Sequence, residues 1–127
     1  MSEAKITKIE IITRASKLDE LMQALNEIGV LGMTVSQVFG CGLQRGHKEV
    51  YRGQEYDINL IPKIKIETVV CEVPVETVLG VAQTVLRTGK FGDGKIFVTE
   101  LTDAVRIRTG QRGPDAIKDI PGETKEK

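Results

Sequence analysis

The sequence is poor in the residues that serve redox chemistry, zinc binding and base stacking. It contains two cysteines, one histidine and no tryptophan, and its aromatic residues are limited to three phenylalanines and two tyrosines. Cys41 and Cys71 are far apart and form no Cys-x-x-Cys pair, so we expect neither a disulfide framework nor a dedicated zinc site. Because so few aromatic rings cannot form a base-stacking surface, single-stranded nucleic acid is not an expected ligand.

The chain also lacks an excess of charge and any long apolar run. It has 18 basic and 18 acidic side chains, so no net charge would attract a nucleic-acid backbone, and we expect no nucleic-acid binding. Apolar runs such as 69–71 are far too short to span a membrane. Residues 1–5 lack the apolar core of a signal peptide, so we expect a cytoplasmic protein.

The first half of the chain alternates between strand and helix patterns. Its 127 residues match the size of one domain. Residues 5–13 are β-branched and predict a strand, and Ser16 with Asp19 resembles a capping box that begins a helix ending at Gly29. Residues 34–39 predict a second strand. The polar stretch 40–59 has no apolar periodicity and is long for a connection, which is typical of a functional or mobile loop.

The second half repeats the same order. Residues 63–70 predict a third strand, Pro74 begins a helix that Gly89 would end, and residues 95–101 predict a fourth strand. Residues 104–108 can add a short fifth strand, and the polar tail from Thr109 onward is expected to be mobile. This order predicts an α+β domain with the ferredoxin-like βαββαβ fold.

The first strand is apolar on both of its faces. Ile9 and Ile11 lie on one side, and Ile6 and Ile12 lie on the other. If both helices cover one face of the sheet, the second apolar face must be buried elsewhere, and partner subunits are the simplest cover. The sequence therefore predicts an oligomer.

A glycine-rich turn is the first candidate for a binding site. Gly89–Lys95 fits the pattern G-x-x-x-x-G-K, but Ile96 offers no hydroxyl for magnesium and a helix precedes the turn instead of following it. A P-loop is therefore not expected. Two interpretations remain open. The backbone N–H groups of the turn could converge on an anion, with Lys90 and Lys95 nearby, or the turn could be an ordinary connection between helix and strand.

Other polar residues allow further hypotheses. Lys63 and Lys65, with Arg106 and Arg108 alternating on a last strand, could place four cations in one region and hold a polyphosphate. It is an equally good interpretation that these cations belong to a solvent-exposed edge strand. His47, the single histidine, could carry a phosphoryl group in a phosphotransferase, but no orienting partner accompanies it, and an exposed polar role is the commoner one.

Seven segments of the chain form a recognisable set. They are ITKIEII at 6–12, KLDE at 17–20, GMTV at 32–35, GHKEVYRGQEY at 46–56, PKIKIE at 62–67, TGKFGDGKIFV at 88–98 and RIRTG at 106–110. Together they closely resemble the PII nitrogen-regulatory signal-transduction proteins, the GlnB and GlnK family. The resemblance covers about residues 5–117 and is nearest in character to Gram-positive members. It implies a ferredoxin-like domain over 1–112 with a long T-loop at about 42–60 after the second strand. We expect the polar C-terminal tail over 113–127 to be mobile.

The resemblance also implies an assembly and a function. Such proteins are homotrimers whose sheets face inward, and they signal nitrogen status without being enzymes. They bind ATP or ADP between subunits, and Mg-ATP recruits 2-oxoglutarate. The T-loop regulates targets such as an ammonium transporter or a nitrogen-metabolism regulator or enzyme, so membrane contact would come only through the transporter.

Individual residues carry these implied roles. The nucleotide-binding set is Gly42, Gln44, Lys63, Lys65, Glu67, Lys90, Gly92, Asp93, Gly94, Lys95, Arg106 and Arg108, in which the two arginines reach from a neighbouring subunit and Glu67 lies near adenine. The 2-oxoglutarate set is Gln44, Arg45, Gly46 and Lys63, and Gln44 also helps to hold magnesium. Tyr51, Arg52 and Tyr56 of the T-loop contact the target. Leu43 stands where many relatives carry arginine, and Tyr56 is the candidate modification site, which we expect to be unmodified.

Overall fold

The fold follows the predicted order of strands and helices. The computed structural model describes residues 5–51 and 54–118, and for 42–51 and 54–59 it describes the backbone alone. The elements are β1 (Ile6–Thr13), a 3₁₀ turn (Ala15–Lys17), α1 (Leu18–Glu27), β2 (Thr34–Tyr51), β3 (Gln54–Val70), α2 (Val75–Leu86), β4 (Lys95–Leu101) and α3 (Pro114–Ile117). The sheet order is β2-β3-β1-β4, with every neighbouring pair antiparallel. This confirms the ferredoxin-like βαββαβ architecture.

The core lies between the sheet and the two long helices. Ile9 and Ile11 of β1 are fully buried, and Ile11 is paired with Ile66 on one side and Ile96 on the other. The helices complete this core with one stripe each, formed by Leu21 and Leu25 in α1 and by Val78, Ala82 and Leu86 in α2. Apolar side chains at alternating strand positions and at helical spacing thus meet in one layer.

The opposite face of the sheet is mixed in character. Ile6 and Ile12 point to that face, which confirms that β1 is apolar on both sides, and Ile6 is buried while Ile12 is half-buried. Glu10 lies on the same face beside Phe97, whose side chain is 49% exposed. An apolar ring open to solvent on a sheet face is the surface that a partner subunit would cover.

The long connection predicted over 40–59 has a different backbone structure. β2 and β3 continue as a hairpin to Tyr51 and Gln54, with a break in register between Gln44 and Glu49. The prediction was wrong about the backbone because an antiparallel ladder is made by N–H and C=O groups, which leave no mark on apolar periodicity. The residues at 52–53 lie outside the described structure.

The helix ends agree only in part with the sequence signals. The prediction of a capping box was wrong, because Ser16 lies within the 3₁₀ turn and α1 begins after Lys17 without a side-chain cap. Gly29 does follow α1 at a φ of 98°, which an L side chain rarely adopts. α2 begins after Pro74 as predicted but ends at Leu86, before Gly89.

The segment after β4 folds back on itself, so the fifth strand predicted at 104–108 is wrong. It is reduced to one isolated bridge between Val105 and Arg112. Asp103 causes this fold, because its carboxylate accepts hydrogen bonds from the N–H groups of Ala104 and Gly113 and from the Arg112 guanidinium. α3 follows, and residues 119–127 lie outside the described structure, so the mobility of the tail stays a prediction.

Within the described ranges, no helix has the length and apolar character needed to cross a membrane.

Candidate functional site

The glycine-rich turn between α2 and β4 is built around the Asp93 carboxylate. One carboxylate oxygen accepts the N–H of Thr88 at 2.8 Å and the N–H of Gly89 at 2.9 Å. The other oxygen accepts the Thr88 hydroxyl at 2.5 Å and Arg14 Nη1 at 2.7 Å. These donors, with the Thr88 hydroxyl first, hold the pKa of Asp93 well below its usual range. The turn is therefore closed by an ionised carboxylate at its centre.

The same turn is attached to the end of β1. Arg14 Nη2 donates to the carbonyl of Phe91 at 2.6 Å, and the Thr13 hydroxyl donates to the carbonyl of Asp93 at 2.8 Å. Thr13 is the last residue of β1, and Arg14 follows it directly. The turn therefore has a fixed position relative to the sheet.

Two glycines allow this close approach. Gly94 has a φ of 104°, and a Cβ atom built on it would lie 1.9 Å from the carbonyl oxygen of Ile12. Gly92 has a φ of 98°, and its Cβ would lie 2.9 Å from Arg14 Nη2. Glycine is required at 94 for both backbone conformation and space.

Cationic side chains gather beside the turn. Lys63 Nζ donates to the carbonyl of Gly92 at 2.9 Å. Lys95 and Lys65 are the partners of Ile12 on its two sides, so they share the sheet face that the helices leave open. We call Gly89–Gly94 with Lys63, Lys65 and Lys95 the turn group. Its chemistry suits an anionic ligand.

The turn is not a P-loop, and the N–H groups at its start are already hydrogen-bonded within the turn. It follows α2 and precedes β4, which confirms the order that argued against a P-loop. The N–H groups of Thr88 and Gly89 do converge, but on the Asp93 carboxylate. An anion at this turn would therefore meet the lysine ammonium groups rather than these two amides. Lys90 is exposed, and its own N–H donates to the Thr88 hydroxyl at 3.2 Å.

A second group of residues surrounds a cavity at Glu67. The carboxylate of Glu67 forms an ion pair with Lys8 at 3.0 Å, and the hydrogen bond from Lys8 holds the pKa of Glu67 below its usual range. The cavity has a volume of about 490 Å³ and is lined by 29–32, Thr34, 67–73 and 116–118. This volume is in the range of small-molecule sites.

Arg106 belongs to the same end of the molecule as the Glu67 cavity. Its Nη2 atom donates to the carbonyls of Asp115 and Lys118, and Lys118 also lines the cavity. Its Nε atom is buried and has no hydrogen-bond partner among the described residues. We call Glu67, its cavity and the 106–108 segment the cavity group.

The glycine turn and the 106–108 segment lie at opposite ends of β4, whereas Glu67 is level with Phe97 in the middle of the strand. The turn comes just before this strand and the 106–108 segment comes after it. β4 has seven residues, so about 20 Å separates its ends. The expectation that Lys63, Lys65, Arg106 and Arg108 converge within one chain is wrong. The prediction that the two arginines share one face of a strand is wrong as well, because residues 107–109 form a turn.

For part of the predicted site only the backbone can be placed. Gly42 pairs with Asn59, Gln44 with Asp57, Glu49 with Tyr56, and Tyr51 with Gln54, while Arg45, Gly46 and His47 fall in the register break. Arg52 lies outside the described residues. The ligand, metal and target roles of these residues stay predictions.

Sequence reasoning missed Thr13, Arg14 and Thr88. A Thr-Gly pair with an aspartate four residues after the glycine is a local signal for a turn that is closed by a side chain. The contact between Arg14 and Asp93 spans 79 positions and has no local signal.

Comparisons with known proteins agree on one family. The family "Nitrogen regulatory protein P-II" matches residues 6–111. A nitrogen regulatory protein P-II of Rhodospirillum rubrum is 51% identical over 110 residues, which cover 87% of this chain and 98% of that protein. The solved ATP complex of GlnK from B. subtilis is 47% identical, with a TM-score of 0.79 and coverage of 90% of this chain and 99% of that chain. Citrate-bound PII of Arabidopsis thaliana is 37% identical, with a TM-score of 0.71 and coverage of 90% and 94%. The chain therefore belongs to the nitrogen regulatory protein P-II family.

Proposed function

We propose that this protein is a homotrimeric sensor of nitrogen status that binds ATP or ADP at sites shared between subunits. With Mg-ATP it binds 2-oxoglutarate and regulates target proteins through its T-loop. Its membership of the P-II family and its similarity to a GlnK solved with ATP support this proposal. The regulatory names of its relatives favour a signalling role over an enzymatic one.

The single observation that carries the proposal is the separation of the glycine turn from the 106–108 segment, which lie at opposite ends of β4. Each group is half of a nucleotide site, because one offers lysines and a glycine turn while the other offers a cavity, a carboxylate and arginines. One phosphate chain can contact both the turn and the arginines only if they come from different subunits, because β4 is about 20 Å long. The partly apolar open face of the sheet supplies a surface for the required assembly.

The chemistry of each half suits a different part of an adenine nucleotide. The Glu67 carboxylate is an acceptor for the exocyclic amine of adenine, at the edge of a cavity lined by Gly32 and Thr34. Lys63 and Lys95, with Arg106 and Arg108 from the neighbour, would neutralise the phosphates. Arg106 would exchange its two carbonyl partners for phosphate oxygens.

Magnesium and 2-oxoglutarate would bind beside the phosphates. In the described parts of the chain, no three His, Cys, Asp or Glu residues come together as metal ligands, and the Asp93 carboxylate is already engaged. The phosphates and the amide oxygen of Gln44 would supply the oxygen ligands that magnesium prefers. Lys63, with Gln44, Arg45 and Gly46, would bind 2-oxoglutarate, and the citrate complex of a plant PII shows a polycarboxylate on a relative.

The T-loop would convert ligand binding into regulation. A ligand shifts the loop only by its different affinity for two loop arrangements, so Mg-ATP with 2-oxoglutarate must favour one of them. Tyr51, Arg52 and Tyr56 would contact the target, which we propose is an ammonium transporter or a nitrogen-metabolism regulator or enzyme. The protein would act in the cytoplasm and reach the membrane only with the transporter.

Calorimetry and mass measurement test this function together. Light scattering should give the mass of a trimer, and titration with 2-oxoglutarate should release heat only when Mg-ATP is present. A monomer, or equal 2-oxoglutarate affinity with and without the nucleotide, would contradict the proposal. Lys63→Gln should reduce 2-oxoglutarate affinity at saturating Mg-ATP, and Lys5→Gln at the far end of β4 is the control.

A further inference from the structure

Arg14 contacts the glycine turn at two points with one planar group. Its Nη1 atom donates to the Asp93 carboxylate at 2.7 Å, and its Nη2 atom donates to the carbonyl of Phe91 at 2.6 Å. The guanidinium is rigid, so the two bonds fix both the distance and the angle of the turn relative to β1. A lysine at this position could replace one of these bonds, but its single Nζ atom could not hold both acceptors in the same geometry.

The contact is partly shielded and tightly packed. The side chains of Arg14 and Asp93 are 32% and 24% exposed, so water screens this pair less than a fully exposed one. Gly92 lies so close that a Cβ on it would fall 2.9 Å from Arg14 Nη2. The low pKa of Asp93 means that the carboxylate stays charged at neutral pH.

The position of the turn determines where the cations of the turn group lie. Lys63 donates to Gly92, directly after the Phe91 carbonyl that Arg14 holds. Lys95 begins β4 directly after Gly94. Without Arg14, Asp93 keeps its bonds to Thr88 and Gly89 but loses its ion pair with the end of β1.

We propose that Arg14 is a positioning residue for the phosphate half of the nucleotide site, acting through Asp93 and the Phe91 carbonyl rather than by touching the ligand. This inference rests on the proposed function, because it requires that the turn faces the phosphates. It assigns to the residue directly after β1 a role in ligand affinity that the motifs of the turn do not reveal.

The test compares Arg14→Gln, Arg14→Lys and Lys17→Gln. Lys17 is a matched control because it is close in sequence and removes the same charge, while its ion pair is with Glu20. The dissociation constants of ATP, ADP and AMP are measured by calorimetry on the intact protein, with circular dichroism to verify folding. We expect Arg14→Gln to weaken ATP binding about tenfold, or about 1.4 kcal/mol, with a smaller loss for AMP. Arg14→Lys should recover part of the affinity, and Lys17→Gln should bind like wild type.

A double substitution separates indirect from direct action. If Arg14 acts through Asp93, Arg14→Gln should cost less affinity in an Asp93→Asn background than in wild type. An equal cost in both backgrounds would show that Asp93 does not transmit the effect of Arg14 and would overturn the inference. An equal loss for AMP, ADP and ATP, or no loss at all, would also overturn it. Failure of the wild-type protein to bind any adenine nucleotide would instead refute the proposed function.

Discussion

Replacing Gly94 with alanine should destabilise the protein through a clash between two backbone segments. The new Cβ would lie 1.9 Å from the carbonyl oxygen of Ile12 and 3.0 Å from the Cα of Thr13, and neither atom belongs to a flexible side chain. The turn would have to move away from β1, which would stretch the hydrogen bond between the Thr13 hydroxyl and the Asp93 carbonyl. The φ of 104° adds strain for any L residue.

The size of the effect follows from these two terms. The positive φ costs about 1–2 kcal/mol, and relief of the overlap costs about 1–3 kcal/mol more. The total of about 2–5 kcal/mol is a large fraction of the stability of a domain. For a chain of this length it corresponds to a fall of roughly 8–20 °C in the midpoint of thermal unfolding.

Two other glycines provide matched controls for thermal unfolding followed by circular dichroism at one protein concentration. Gly89 also has a positive φ, at 86°, but no atom lies within 4 Å of its Cβ, so Gly89→Ala should cost only the conformational strain. Gly80 lies inside α2 with open space around it, so Gly80→Ala should stabilise the protein by about 0.5–1 kcal/mol. If Gly94→Ala unfolds at the same temperature as Gly89→Ala, the steric reasoning is refuted.

Three further predictions concern titratable groups. Because the pKa of Asp93 is lowered on folding, its contribution to stability is present above the unfolded value of about 3.9 and is lost as the pH falls toward the folded value. The free energy of unfolding of Asp93→Asn should therefore fall less steeply with decreasing pH than that of wild type. An unchanged slope would contradict this reasoning. Lys8→Gln should raise the pKa of Glu67 toward its usual range in a carboxyl NMR titration, since the bond from Lys8 is the largest cause of its lowering; an unmoved titration curve would exclude Lys8 as the cause. Cys41 is exposed while burial raises the pKa of the Cys71 thiol, so mass spectrometry of an iodoacetamide time course at pH 8 should find Cys41 alkylated first, and the reverse order would contradict the burial argument.

The layered fold could be predicted from the sequence because its signals are local. Ile9 and Ile11 alternate with polar residues in β1, and Leu21 and Leu25 recur at helical spacing, so each element carried its own period. The long hairpin of β2 and β3 could not be predicted in this way, because its ladder is formed by backbone groups between polar residues.

The candidate site could be predicted only in its residue types. The glycine turn and its lysines are adjacent in sequence or lie on alternating strand positions, so local pattern reasoning found them. The contact between Arg14 and Asp93 depends on how β1 and β4 pair, and the separation of Arg106 from the turn depends on the length of β4. These are properties of the tertiary fold, which spacing along the chain does not determine.

Complementation in mixed trimers tests most directly whether the nucleotide site is shared between subunits. Lys95→Gln removes a cation of the turn group, and Arg106→Gln removes one of the cavity group, so each homotrimer should bind ATP weakly at every site. When the two variants are expressed together, about a quarter of the sites should combine an intact turn group with an intact cavity group and recover wild-type affinity. A chain with both substitutions, expressed together with wild type, is the control for assembly. Recovery of tight ATP sites in the mixed trimers is the predicted result, and uniformly weak binding would contradict a site formed between subunits.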